Sequence, residues 1–369
     1  MKQLHARIES IAVWPVDVPL SDPFVISRGS LSVASVAFVR VRLVDGTAGY
    51  GEVAPFTALT GETRERSIEA VRRMAAGLAG ASCADWEKHA RALRDAEPAE
   101  PAARSGIECA MVDALARSRR LPLFAHWRAL SGSPDVRERE TDITLPILDD
   151  ARVDALAEQW HARGFRIFKL KLGGDLDADV RRVERLAARH PDVSFILDAN
   201  QGFDLAGARE CVRALTLHHA RVDLIEQPLP RGDLDAMAEL RSGCSIPIAA
   251  DESVFSLEDA RRVIAAGAAD CINLKITKSG LAETIAIARA ARAAGLTLMI
   301  GGMMETRLAM SFSLALVLAL GWIDHLDLDT PLLMSEDPVA GGYAYRGPML
   351  APWHEPGVGA RPRTEPPAA

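Results

Sequence analysis

The sequence predicts an α/β fold built on a (β/α)8-type parallel barrel, with a smaller α+β domain ahead of it, on three observations. From about Thr141 onward, short apolar segments ending in polar residues alternate with helical stretches of roughly 12 to 16 residues, the rhythm of repeated β-α units. Eight strand candidates occur there with seven or so helices between them, a count that suits a parallel barrel better than an open doubly wound sheet. An open sheet would also be expected to show a glycine-rich turn after its first strand, and neither GxGxxG nor GxxxxGK(S/T) occurs.

The strand candidates centre on 143–148, 165–172, 193–200, 222–228, 246–252, 271–277, 297–302 and 325–329. Helical candidates such as 177–189, 257–266 and 281–294 lie between them, and Gly267, Gly295 and Gly321 stand where a helix would stop. The first 135 residues behave differently: 37–43 and 48–53 alternate like half-buried strands, and 63–78 and 102–117 read as helices. This divides the chain into an α+β domain over 1–135, a barrel over 136–330 and a C-terminal segment over 331–369. The acidic stretch 96–102 reads as a surface loop, and 355–369, with four prolines in fifteen residues, as a loose tail.

At roughly 150 residues per domain, 369 residues make two to three domains, or a barrel with a companion. Hydrophobic residues are 49% and charged residues 25% of the chain, an ordinary globular balance that argues against disorder and against a fibre. Forty-three Lys and Arg against fifty Asp and Glu leave a net charge of −7, with no basic face for a nucleic acid. The longest apolar run, 314–323, is half the length of a membrane span, and Glu9 falls where a secretory signal needs apolar residues. A cytoplasmic protein is expected. The five cysteines are scattered and never form CxxC, so neither a disulfide framework nor a thiolate zinc site is suggested, and they read as buried small hydrophobes.

Side chains alternate across a strand, so parity sorts the barrel residues into inward and outward sets. In Ile167-Phe168-Lys169-Leu170-Lys171-Leu172 the apolar set Phe168, Leu170 and Leu172 must pack under the helices, which sends both lysines inward. The same rule turns Asp198, Glu226, Asp251, Asn273 with Lys275, and His325 with Asp327 and Asp329 inward, at the C-terminal strand ends where barrel enzymes carry their sites. Each piece has a bland reading: a KxK pair as a solvated strand face, a lone Asp as a helix cap, Glu-Gln-Pro as a strand end. The joint pattern on five successive strands argues for a site.

Asp198, Glu226 and Asp251 on three consecutive strands repel one another unless a cation sits among them, and an oxygen-only donor set suits Mg²⁺ first and Mn²⁺ second. Lys169 and Lys171 precede this trio and Lys275 follows it, so a substrate carboxylate chelated there would present its α-hydrogen between two amines, one per face. Lysine serves as such a base when burial, a neighbouring ammonium and the cation lower its pKa, and Lys169 would supply the second charge to Lys171. His325 reads as packing or support, and His218-His219 as a helix end. Neither HExxH nor GxSxG occurs, so zinc-peptidase and serine-hydrolase chemistry lack their usual signals.

At these residues the chain resembles the enolase superfamily, specifically its muconate-lactonizing-enzyme subgroup. Lys169-Leu170-Lys171 is similar to that subgroup's KxK; Asp198-Ala199-Asn200, Glu226-Gln227-Pro228 and Asp251-Glu252-Ser253 are similar to its three metal-ligand segments; Asn273-Leu274-Lys275 is similar to the segment with the second catalytic lysine. The resemblance covers nearly the whole chain, including Gly51-Glu52 and the mobile-loop region 23–30 of the capping domain. It implies a modified (β/α)7β barrel whose C-terminal segment returns to the cap.

Within the subgroup, Asp327-Leu328-Asp329 followed by Thr330-Pro331-Leu332 resembles the DxD that binds a substrate's free α-ammonium in dipeptide epimerases, and 301–307 resembles their seventh-strand segment. The resemblance implies a Mg²⁺-dependent epimerase that inverts the α-carbon of a dipeptide's C-terminal residue. In it, Asp198, Glu226 and Asp251 hold the metal that stabilises an enediolate, and Lys171 and Lys275 exchange the proton. Lys169 assists, and Asp327 and Asp329 hold the ammonium. Arg28 in the capping loop is a candidate partner for a substrate side-chain carboxylate, which would favour an acidic second residue as in Ala-Glu. The alternatives are an N-acylamino acid racemase, o-succinylbenzoate synthase or muconate-type cycloisomerase of the same subgroup, a metal-dependent aldolase, and a non-catalytic metal- or ligand-binding barrel. The expected partner is a small molecule, without nucleic acid or membrane, and self-association as a homo-oligomer stays open.

Overall fold

The structure, a computed structural model, describes residues 6–26, 29–127, 136–172, 175–217 and 220–366. Eight parallel strands follow one another in chain order across a single sheet: Ile143–Leu145, Ile167–Lys171, Ser194–Asp198, Val222–Glu226, Ile248–Ala250, Cys271–Leu274, Thr297–Ile300 and His325–Leu326. They are the first to eighth barrel strands below. The sheet curls until its edges meet, where the Asp142 N–H and the Thr141 hydroxyl donate to the Leu326 carbonyl at 3.0 and 3.2 Å. A long helix follows each of the first seven strands, from Asp150–Ala162 to Arg307–Leu320, whereas the eighth leads into the short 3-10 turn Thr330–Leu333. The barrel is therefore of the (β/α)7β kind.

Local chemistry starts and stops these helices. Asp149, Asp175, Asp233, Ser256 and Thr306 each accept a first-turn N–H through the side chain, satisfying a donor that no helical carbonyl can reach. Gly267 and Gly321 end their helices in the left-handed region, at φ 62° and 73°. Inside the barrel, Ile196, Leu224, Ala249, Cys271 and Met299 form a small core of their own, with Ile167 packed against it. Their outward neighbours, among them Phe168, Leu170, Phe195, Leu197, Ile225 and Ile272, join the main core under the helices. Two separate cores are what strand alternation requires, and the inner one is the floor beneath the polar strand ends.

The cap is a three-stranded antiparallel sheet, Ile8–Ile26, Gly29–Leu43 and Ala48–Val53 in that order, backed by helices Arg64–Leu78, Trp86–Ala96 and Pro101–Ser118. The hydrophobic alternation predicts only the second and third strands. The first carries Pro15, Pro19 and Pro23, which it tolerates because it is an edge strand, bonded along one side to the second. Gly51 lets the third strand touch helix Pro101–Ser118, since a Cβ there would lie 2.1 Å from the Gly106 carbonyl oxygen. The adjacent Glu52 reaches across to the barrel and accepts from the Thr306 N–H at 2.8 Å, the Thr306 hydroxyl at 2.5 Å and the Ala309 N–H at 3.2 Å. Cap and seventh-strand loop are thereby joined through the N-terminus of a barrel helix.

The C-terminal residues correct the expectation of a loose tail from 355. Ala360–Pro362 pairs with Val339–Gly341, the Leu123 N–H donates to the Gly357 carbonyl at 2.8 Å, and Glu365 accepts from the Tyr50 hydroxyl at 2.6 Å and pairs with Arg40 at 2.7 Å. Prolines there remove backbone donors without preventing these anchors; residues 367–369 lie outside the described residues. Cys83, Cys109, Cys211 and Cys271 are buried, Cys244 is half-buried, and all five are free thiols. Among the described residues no helix is long and apolar enough to cross a membrane.

Candidate active site

The ends of the second to sixth barrel strands bring Lys169, Lys171, Asp198, Glu226, Asp251 and Lys275 together on one floor, each more than nine-tenths buried. Register sets the spacing: Lys171 is the cross-strand partner of Asp198, and Asp198 of Glu226. The Lys171 ammonium donates to Asp198 Oδ2 at 2.5 Å and the Lys275 ammonium to Asp251 Oδ2 at 2.8 Å, so the two lysines bracket the row of acids. Lys169 shares Asp198 Oδ2 with Lys171 and reaches further: its Nζ lies 3.2 Å from that oxygen, 2.7 Å from Glu226 Oε2 and 2.7 Å from Asp327 Oδ2.

Just past the acids the chain is strained. Asn200, Gln201 and Gln227 take φ of 44°, 67° and 37°, values that L-residues hold only when the surroundings enforce them. For Gln227 the enforcement is its own amide. It donates to the Leu229 carbonyl at 3.0 Å and Ser253 Oγ at 2.8 Å, and accepts from the backbone N–H of Asp251 at 2.9 Å and of Ser253 at 3.0 Å. The end of the fourth strand thus fixes the backbone of the acid on the fifth.

Electrostatics follow from who touches whom. Burial pushes Asp198 and Asp251 up, but the lysines prevail: Lys171 and Lys169 bring Asp198 down to about 2, and Lys275 and Lys278 hold Asp251 below the usual carboxylate range. Glu226 is raised by burial and by the Asp198 charge beside it. Burial would lower Lys275 and Lys169, yet Asp251 and Glu226 raise the first, and Asp327, Glu226 and Asp198 the second, above the ordinary lysine value. This arrangement without a cation therefore keeps both amines protonated.

At the other end of the floor, carboxylate oxygens of Asp142, Asp327 and Asp329 lie within 4.8 Å of one another; among the described residues this trio, not Asp198, Glu226 and Asp251, is the tightest acid group. Of the latter three, Asp198 and Glu226 share Lys169, and Asp251 pairs with Lys275 and Lys278. Sequence reasoning misses Asp142, which stands just before its strand candidate though its parity matches inward Thr144. It also misses Lys278, which donates to the Asp251 carbonyl and Oδ1, both at 2.6 Å, from one helical turn beyond Lys275. A three-residue spacing on a short turn was the available signal. His325 faces inward half-buried, with burial lowering its pKa. Arg28 and His218-His219 lie outside the described residues.

Above the floor the cleft is walled by apolar side chains from both domains: Phe24, Phe56 and Leu59 of the cap, and Met303 and Met304 after the seventh strand. Phe24 lies over Lys171, its ring centroid 5.7 Å from the ammonium.

Comparison with known proteins places this geometry. Residues 8–125 match the N-terminal domain model of mandelate racemase / muconate lactonizing enzymes, and residues 152–366 match the enolase C-terminal domain-like model. The chain belongs to the mandelate racemase / muconate lactonizing enzyme family of the enolase superfamily. An aromatic dipeptide epimerase of Herpetosiphon aurantiacus is 40% identical over 348 residues, spanning 94% of this chain and 96% of that one. A solved dipeptide epimerase of Cytophaga hutchinsonii, complexed with Mg and D-Ala-L-Val, superposes with TM-score 0.92 at 31% identity over 97% of both chains. That of Enterococcus faecalis V583, complexed with Mg and L-Leu-L-Tyr, gives TM-score 0.91 at 30% identity over 96% of this chain and 99% of the other.

For a member of this superfamily the remaining question is whether the residues fit a divalent ion, and charge answers it. The buried acids Asp198, Glu226, Asp251, Glu252, Asp327 and Asp329 outnumber the four buried ammonium groups of Lys169, Lys171, Lys275 and Lys278. Glu252 Oε2 has no hydrogen-bond partner, and burial with the charges of Asp251 and Asp198 pushes that carboxyl up to about 7. An excess of buried negative charge with hard oxygen donors on three adjacent strand ends suits Mg²⁺.

Proposed function

We propose that the chain is a Mg²⁺-dependent dipeptide epimerase that inverts the α-carbon of the C-terminal residue, acting on dipeptides whose second side chain is apolar. The observation that carries this reading is the pair Lys171 and Lys275, each against one end of a row of three buried acids, with a second group of acids across the floor. Asp198, Glu226 and Asp251 would hold the ion. Bound there, it supplies the charge that offsets the negative charge developing on the substrate carboxylate as the α-proton leaves.

The protein's own groups do the rest. With Asp251 and Glu226 engaged elsewhere, Lys275 loses the partners that keep it protonated, and one amine can then take the α-proton while the other returns a proton to the opposite face. Lys171 and Lys275 exchange these tasks with the hand of the substrate. Asp327 and Asp329 meet the free ammonium, and the apolar walls close over the reacting carbon and exclude water.

The walls also bear on the side chain. Among the described residues the cations lining the cleft are Lys169, Lys171 and Lys275, all committed to carboxylates, while Phe24, Phe56, Leu59, Met303 and Met304 offer apolar contact. Burying a Leu or Phe side chain there is worth about 1.5 to 3 kcal/mol, roughly ten- to a hundred-fold in kcat/KM. The test is a dipeptide panel incubated with Mg²⁺ in deuterated water and read by mass gain and chiral analysis. L-Ala-L-Phe or L-Ala-L-Leu is expected to outpace L-Ala-L-Glu. Preference for Ala-Glu, lost in Arg28→Ala, would return the specificity to an acidic residue; preference for N-succinyl or N-acetyl amino acids over every free dipeptide would replace the epimerase reading by a racemase.

A further inference from the structure

Asp142 is assigned no part in the chemistry above, yet it has the least ordinary surroundings of any acid in the barrel. It stands where the curled sheet closes, its backbone N–H given to the Leu326 carbonyl at 3.0 Å and its side chain fully buried. Neither of its carboxylate oxygens has a hydrogen-bond partner. Its neighbours are two more acids, with oxygens of all three within 4.8 Å of one another. Asp327 Oδ2 holds the Lys169 ammonium at 2.7 Å, and Asp329 Oδ2 accepts the Thr144 N–H at 2.5 Å, but Asp329 Oδ1 is unpartnered.

Three buried carboxylates at this separation are not all ionised beside a single ammonium, because burial leaves the repulsion of each added charge poorly screened. The charged groups facing Asp142 are Lys169 on the second strand, Glu226 on the fourth, and Asp327 and Asp329 on the eighth. Lys169 is the one cation among them, and it is shared with Glu226 and Asp198. One proton repairs both defects at once: a carboxylic acid supplies the O–H donor that Asp329 Oδ1 lacks, and it removes one of the three charges.

We propose that Asp142 is held as a neutral carboxylic acid that donates its hydrogen bond to Asp329 and so positions the Asp327–Asp329 pair for a primary ammonium. It is a positioning residue, acting through Asp329. The direction of each group's acidity agrees. Burial, then Asp327 and Asp329, raise Asp142 well above the carboxylate range, and burial with Asp327 raises Asp329 to about 7; against burial, Lys169 holds Asp327 below its ordinary value. With Asp142 neutral, two carboxylates answer two ammonium groups, one from Lys169 and one arriving with the substrate. An ionised Asp142 would leave a surplus negative charge in the filled site, which a second divalent ion would have to balance. The substrate arm of this inference rests on the dipeptide reading; the protonation state does not.

Three measurements on the whole 369-residue chain test it. Infrared difference spectra between wild type and Asp142→Asn at neutral pH should show one protonated-carboxyl C=O band lost in the variant, with no substrate needed. Steady-state kinetics with the best free dipeptide should then separate the variants. Asp142→Leu, which carries no donor, should raise KM about ten-fold or more, the worth of one lost hydrogen bond to a charged group, and narrow the preference for free over N-acetylated dipeptide. Asp142→Asn, which keeps an N–H donor, should rescue most of that loss, and kcat should change less than KM in both.

An unchanged carboxyl band would overturn the inference, as would an Asp142→Asn variant as impaired as Asp142→Leu. So would a second Mg²⁺ per chain, found by titrating wild type with Mg²⁺ alone and lost in Asp142→Asn. Should Asp142→Leu fail to fold, the band and the Asp142→Asn kinetics still decide. If no dipeptide is turned over, the proposed function fails while the band continues to test Asp142.

Discussion

Replacing Gln227 by Leu tests whether the end of the fourth strand positions an acid on the fifth. The side chain is fully buried and makes four hydrogen bonds, two of them accepted by Oε1 from the backbone N–H groups of Asp251 and Ser253 at 2.9 and 3.0 Å. Leucine fills similar space and satisfies none of them. A buried donor left unpaired costs about 1 to 3 kcal/mol, so the two amides together predict a loss on the order of 2 to 6 kcal/mol, read as a lower denaturant midpoint at unchanged slope. The same loosening should reach the site, because Asp251 is held through its own backbone; loss of such supporting contacts weakens metal binding by about ten- to a hundred-fold. Calorimetric titration with Mg²⁺ measures that directly. Gln227→Glu keeps the acceptor and loses the donor, and should fall between the two. A leucine variant as stable as wild type that binds Mg²⁺ equally well would refute the argument.

Other consequences are equally concrete. Lys171→Ala and Lys275→Ala should each abolish epimerisation while leaving α-hydrogen exchange for one enantiomer only, with opposite preferences; exchange of both enantiomers by one variant at the wild-type rate would contradict a base on each face. Removing metal by chelation should stop turnover and adding Mg²⁺ restore it, whereas full activity in metal-free protein would remove the ion from the chemistry. Glu52 is raised to about 7 by burial, despite accepting from Thr306 and Ala309. A carboxyl whose folded pKa lies above its unfolded value contributes stability below about pH 4.5 that is lost as pH rises through 7, on the order of 3 kcal/mol for this shift. Comparing denaturant midpoints at pH 5 and pH 8, Glu52→Gln should therefore lose less stability with rising pH than wild type does.

What could be read from the sequence was whatever strand alternation enforces. Lys169 and Lys171 had to point inward because Phe168, Leu170 and Leu172 could not, and the same exclusion placed Asp198, Glu226, Asp251 and Lys275. The inner core of Ile196, Leu224, Ala249, Cys271 and Met299 is that rule made visible. The cap strand Ile8–Ile26 escaped because its prolines mask the alternation and are tolerated only at an edge, which is a fact of sheet order rather than of local sequence. The contact of Lys169 with Asp327 escaped for another reason. Parity says that a side chain enters the barrel, not which of several acids it will meet, and Lys169 reaches Asp327 across 158 positions of chain.

Asp142 and Lys278 show the remaining limit, and it bears on how the site works. Neither sits at a strand end with a sequence signature; each matters through a neighbour, Lys278 through the carbonyl and carboxylate of Asp251 and Asp142 through the acids of the eighth strand. Lys278 is a cation held on Asp251, where burial lowers its pKa in spite of the Asp251 charge. Asp142 is an acid at the opposite end with no cation in hydrogen-bond contact. The floor is thus polarised along its length. Lys171, Lys275 and Lys278 pair with the acids at the end where the substrate's carboxylate would be chelated, whereas Lys169 alone meets the acid pair where its ammonium would rest. Under the proposed function a zwitterionic molecule of dipeptide length would lie along that gradient in one direction, which would set its second α-carbon between Lys171 and Lys275. Reversed, it would set its ammonium beside three lysines and its carboxylate against Asp327 and Asp329. An N-acylated substrate would leave Lys169 as the one ammonium beside Asp327 and Asp329, the cost that separates the epimerase reading from the racemase reading.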